Sequence, residues 1–170
     1  IITAQDSEKA KSIVDYAHSK GVKVIAYDRL IKNCDLDAYL SFDNVKVGEF
    51  EAKGVVQAVS KGNFVYIGGS PTDNNAHLVK KGSMNILQPL IDSGAIKLVH
   101  ESFTPEWSAE LAYETVAEVL EQNGNDIQAI VCANDGTAAG AIEALEEVGL
   151  SGKVPVSGQD AELAACRRIV

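Results

Sequence analysis

Four short apolar runs of the chain end in side chains suited to holding hydrogen bonds. Asp28-Arg29 follows the run 22–27, Asn134-Asp135 follows 127–133 and Gly158-Gln159-Asp160 follows 154–157. After 63–67 come Gly68-Gly69-Ser70 and then Asp73-Asn74-Asn75. The single tryptophan, Trp107, lies in the loop ESFTPEW after the run 96–100. A carboxylate accepts, a guanidinium donates in a planar fork, and an amide does either. That set suits a neutral polyol, whose hydroxyls both donate and accept and whose C–H face an indole can cover. Such a site discriminates strongly, because an analogue lacking one hydroxyl strands a buried polar partner.

Other chemistries lack their residues. No Walker-type or dinucleotide glycine motif is present, and Pro71 interrupts the one glycine pair that follows an apolar run. There is no nucleophile elbow, and His18, His77 and His100 fall in or beside expected helices and a strand, away from the rim loops. Asp28, Asp135 and Asp160 match no metal-ligand spacing, and Arg29 would oppose a cation. No paired carboxylates stand out for acid–base work, so the chain is read as non-catalytic, with no cofactor and no metal.

Each rim residue also has a plainer role. Asp73, Asp135 and Asp160 stand where carboxylates cap helix N-termini. Asp28-Arg29 could form a loop ion pair of little energetic weight. Trp107 could be a hydrophobic staple. Individual capping accounts poorly for the convergence of an Asp or Asn at four strand ends, with an Arg and the single Trp.

The elements that must position these residues alternate along the chain. Helical periodicity over about 7–20, 45–60, 73–92, 108–122 and 135–148 alternates with apolar runs at 22–27, 37–42, 63–67, 96–100, 127–133 and 154–157, and a last helix begins near Asp160. Short strands apolar on both faces predict parallel sheets covered by helices, a doubly wound α/β fold. Ligands bind such sheets beyond the carboxyl ends of the strands, where the polar residues stand.

The 170 residues carry a net charge of −9 and no basic run longer than a pair, which argues against a nucleic-acid partner. No apolar run is long enough to span a bilayer. Cys34, Cys132 and Cys166 show no C-x-x-C spacing and are expected to be core or near-core thiols. The chain opens on Ile1-Ile2, as if in a strand, and closes on Arg168-Ile169-Val170, as if in a helix. Both ends are expected to fall inside elements.

The segments VIAYDRLI (24–31), YLSFDNVKVGE (39–49), GGSPTDNNAHL (68–78), CANDGTAAGAIEAL (132–145) and GKVPVSGQDAEL (152–163) resemble the sugar-binding proteins of ABC importers. That resemblance implies the two-lobed type I periplasmic-binding-protein fold, incomplete at both ends, with D-xylose as the expected ligand. It implies a partial first lobe over 1–42, a first hinge crossover near 41–44, and most of the second lobe over 43–170. It implies that Asp28 and Arg29 hold sugar hydroxyls from the first lobe and Asn75, Asn134 and Asp160 from the second, with Trp107 stacked on the ring. Asp73, Asn74 and Asp135 are then expected to cap helices and orient their neighbours. The implied setting is extracytoplasmic, with a membrane permease or a sensor histidine kinase as the partner. The effector domain of a sugar-responsive repressor is a further alternative.

Overall fold

The structure is a computed structural model that describes residues 1–169. Its order is α1 (Lys11–Ser19), β1 (Ile25–Tyr27), β2 (Ala38–Leu40), α2 (Asn44–Ala58), β3 (Gly62–Gly68), α3 (Asn74–Asp92), β4 (Ile96–Phe103), a 3-10 turn (Pro105–Trp107), α4 (Ala109–Gln122), β5 (Ala129–Cys132), α5 (Asp135–Glu147) and α6 (Leu163–Ile169). All strand pairs are parallel: β1 with β2, and β4-β3-β5 in a second sheet.

The central strand β3 is buried on both faces, with Phe64, Val65, Tyr66 and Ile67 all at 0% exposure. Alternate residues serve opposite layers, as a two-residue strand period requires. Val65 and Ile67 pack with α4 and α5 residues such as Val116 and Leu145. Phe64 and Tyr66 pack with α2 and α3 residues such as Val55 and Leu87. The smaller sheet has its own cluster, in which Val14 of α1 meets Val24, Ala26 and Ile31.

Glycines let the helices crowd together. A β-carbon on Gly48 of α2 would lie 1.9 Å from the Val79 carbonyl oxygen of α3, and one on Gly82 would lie 2.0 Å from that of Val45. At the same crossing the Ser83 hydroxyl, fully buried, reaches the carbonyls of Gly48 and Val79 at 3.2 and 3.1 Å.

The expected elements are present, with three differences. The first helix begins at Lys11, preceded by turns over 7–10 in which Asp6 accepts from the backbone of Glu8 and Lys9. The expected strand over 154–157 makes one isolated bridge, Ile130 to Val156, because Pro155 withholds an N–H from any ladder. The last helix begins at Leu163, three residues beyond Asp160, and Val170 lies outside the described residues. The cysteines are all free, with Cys132 buried in the large core and Cys34 and Cys166 half-buried.

Candidate functional site

The chain passes from the small sheet to the large one through Ser41–Asp43, where Asp43 caps α2 by accepting from the Lys46 amide. Beside this passage is a cavity of about 130 Å³. All six candidate residues line it: Asp28, Arg29, Asn75, Trp107, Asn134 and Asp160. They come from the ends of β1, β3, β4 and β5 and from the loop after 154–157, so strand-end geometry brings them together. The cavity is far smaller than the roughly 300–1,000 Å³ usual for drug-sized ligands.

Asp28 adopts a left-handed backbone, φ 64°, which Asp tolerates better than most residues. Donors from three directions hold that turn. The Asp28 carbonyl accepts from the Ser41 hydroxyl at 2.6 Å, the Tyr39 hydroxyl at 3.3 Å and Asn75 Nδ2 at 3.1 Å. Because a carbonyl only accepts, the last bond fixes which end of the Asn75 amide faces Asp28. Asn75 Oδ1 is left buried with no hydrogen-bond partner among the described residues.

Asn134 presents the opposite polarity. Its Oδ1 accepts from the Thr137 amide at 2.8 Å and the Thr137 hydroxyl at 2.9 Å, leaving Nδ2 as the available donor. Asn134 is therefore the N-cap of α5, a role expected of Asp135. Asp135 is instead the first helical residue and shapes the neighbouring loop. Its amide donates to the Gln159 carbonyl at 2.8 Å, and its Oδ2 accepts from the Glu162 amide at 2.8 Å. Asp160 sits in that loop with φ 103°. Its surroundings and the Asp135 carboxylate raise its carboxyl above the ordinary value, with the Asn134 amide acting against them.

Asp73 does cap α3, as expected, by accepting from the Asn75 amide at 2.9 Å. It does more than that. At 1% exposure its Oδ2 also pairs with Arg29 Nε at 3.0 Å and accepts from the Trp107 indole at 3.3 Å. One carboxylate thus orients the guanidinium, the indole and the helix that bears Asn75. Asn74, expected to cap, is the first helical residue and has no side-chain bond of its own among the described residues.

Trp107 immediately precedes Ser108, the N-cap of α4. It ends the 3-10 turn with φ 58°, after Glu106 at φ 55°, and its ring lies against Gly69. Asn44, Val79, Ala133 and Gln159 also line the cavity and were given no role from sequence, although Gln159 stands in the strand-end set. Asn44 is 4% exposed and donates to the Ser41 hydroxyl at 3.3 Å. Its signal was its place at the start of α2, inside the segment YLSFDN. Gln159 immediately precedes Asp160. His77 reaches the rim through the Pro71 carbonyl at 2.8 Å but does not line the cavity, and neither does His18 or His100.

A cavity lined by carboxylates, one arginine, side-chain amides and an indole, set at strand ends between two parallel sheets, has the chemistry to hold a small polar molecule. The chain belongs to the periplasmic binding protein domain family, which matches residues 1–170, and has its type I fold. It is 51% identical over 170 residues to the D-xylose-binding periplasmic protein of Haemophilus influenzae, covering 100% of this chain and 51% of that protein. It is 47% identical over 169 residues to the D-xylose-binding periplasmic protein of Escherichia coli, covering 99% and 51%. The chain therefore spans about half the length of these curated relatives. Among solved structures, the Caulobacter myo-inositol binding protein superposes with TM-score 0.87 and 29% identity, covering 98% of this chain and 57% of that one. A Clostridium phytofermentans ABC transporter solute-binding protein with bound β-D-glucose superposes at 0.85 with 32% identity, covering 96% and 56%.

Proposed function

We propose that this chain forms part of an extracytoplasmic solute-binding protein that holds D-xylose in the cavity beside Ser41–Asp43 and delivers it to a membrane transporter. Residues 1–42 belong to one lobe and residues 43–170 to the other, with the passage at 41–44 as a hinge. The observation that carries the reading is the buried, unpartnered Asn75 Oδ1 in a cavity that also offers the Asn134 Nδ2 donor. A buried acceptor left unpaired costs about 1–3 kcal/mol, a penalty that a ligand hydroxyl removes. Asp28 and Asp160 accept from further hydroxyls, the remaining Arg29 N–H groups donate, and Trp107 covers a C–H face. The excess of carboxylates disfavours anionic ligands. The relatives' names support xylose among neutral sugars.

Calorimetric titration of D-xylose into the protein, with ribose and glucose as controls, tests this. Tight, selective xylose binding is expected. Asn75→Ala is expected to cost about 1–3 kcal/mol of affinity, by removing the acceptor that the hydroxyl meets. Failure of the folded wild-type protein to bind any of the three sugars refutes the reading.

A further inference from the structure

Apart from the cavity, the two sheets' layers meet at a second place, along the outer side of the α3 N-terminus. Ser7, in the turns before α1, is 2% exposed. Its amide donates to the Thr72 carbonyl at 3.0 Å, and its hydroxyl accepts from the Asn74 amide at 3.1 Å. Nearby, the Thr72 hydroxyl donates to the Gln5 carbonyl at 3.3 Å. Ser7 is held on its own side by the Lys32 amide, which donates to the Ser7 carbonyl at 2.6 Å.

Asn74 is the first residue of α3, so its N–H is one of the amides a helix cannot satisfy internally. Asp73 serves the next amide, that of Asn75. The first amide is served by Ser7, whose position lies 67 residues away in sequence. The helix is capped from two sources, one local and one belonging to the small-sheet layer. Separating the layers would break the second cap and release the Thr72 bonds to water.

We infer that Ser7 and the first turn of α3 form a latch that stabilises the closed arrangement of the two lobes independently of any sugar. This rests on the two-lobe, hinged reading proposed above and adds to it that the hinge lets the lobes close on the sugar. A bound sugar bridges the lobes through the cavity, while the latch bridges them through protein alone. Apparent affinity scales with the fraction of molecules in the binding-competent state, so weakening the latch weakens every sugar by the same factor. Changes at the cavity alter which sugar is preferred, and latch changes do not.

Two substitutions isolate the bond from opposite ends. Ser7→Ala removes the acceptor. Asn74→Pro removes the donor at the first helical position, where proline is well tolerated. The preceding residue must then be extended, and Asp73 already is, at φ −100° and ψ 122°. Each variant is expected to weaken xylose, and a second sugar the protein binds, by one common factor of roughly three- to thirty-fold. The double variant is expected to lose no more than either single one, because both delete the same bond. Unchanged affinities, unequal losses between sugars, or losses that multiply in the double variant would each overturn the latch. Should the protein bind no sugar, the functional reading fails by itself, and small-angle scattering of the free protein then decides the latch. Expansion on Ser7→Ala supports it, and superimposable curves overturn it.

Discussion

The ring of Trp107 occupies the space beside Gly69 that a side chain at 69 would need. A β-carbon there would stand 2.1 Å from the Trp107 Cη2 atom. The indole cannot simply swing aside, because its N–H is tied to Asp73 Oδ2 at 3.3 Å. Gly69→Ala is therefore expected to displace the ring and strain its bond to Asp73, while replacing no polar side chain of the cavity. Overpacking of this kind costs about 1–3 kcal/mol. Sugar titration should show all pyranoses weakened together, in parallel with Trp107→Ala. Wild-type affinity in Gly69→Ala would mean that the ring has another place to go.

Asp73 joins three parts of the site, so its replacement should be felt in both stability and binding. Asp73→Ala removes the α3 cap, leaves the Arg29 guanidinium with Gln5 Oε1 at 2.9 Å but no counter-charge, and frees the indole. A loss of about 2–4 kcal/mol in urea unfolding is expected, since charged hydrogen bonds and a part-buried ion pair go together. Asp73→Asn keeps an oxygen for the Asn75 amide and should recover the cap while leaving Arg29 without its counter-charge. Equal damage in the two variants would show that the charge, and not the cap, matters.

The strand ends were legible because they follow from hydrophobic periodicity alone, and in a parallel sheet the strand ends are where the rim residues stand. Asp28, Asn75 and Asn134 could be found that way. The role of Asp73 could not, because its partners Arg29 and Trp107 are 44 and 34 residues distant and no local pattern links them. Whether Asn134 or Asp135 caps α5 turns on a one-residue register, which propensity does not resolve when both residues are good caps. The stretch 154–157 has strand composition, but pairing needs N–H groups that Pro155 does not supply. Asn44 and Gln159 were given no role for a different reason: each sits beside a more conspicuous carboxylate, Asp43 or Asp160.

Close helix contact provides a test of the fold itself. Gly82→Ala would drive a methyl to within 2.0 Å of the Val45 carbonyl, so α2 and α3 must separate. The gain in helix propensity from Gly to Ala is about 1 kcal/mol and is outweighed by this clash with backbone. Urea unfolding should give a lower midpoint with an unchanged slope. A midpoint at or above wild type would show that the helices can slide apart at no cost.

The final prediction concerns Glu51, which is 6% exposed on α2 and has no hydrogen-bond partner at either carboxyl oxygen among the described residues. Burial, reinforced by the Asp160 and Asp135 carboxylates, pushes its pKa from 4.5 up to about 8. Between those values the folded state keeps a proton that the unfolded state has lost. Stability contributed by this group is thus full below about pH 4.5, declines as pH rises, and is gone once pH passes the folded value near 8. Glu51→Gln keeps the shape and cannot ionise, so its urea midpoint should fall less steeply from pH 5 to 9. At pH 7 the variant should be the more stable, by on the order of 2–3 kcal/mol. Parallel pH profiles for the two proteins would mean that Glu51 is charged in the folded state and solvated by a route its burial does not suggest.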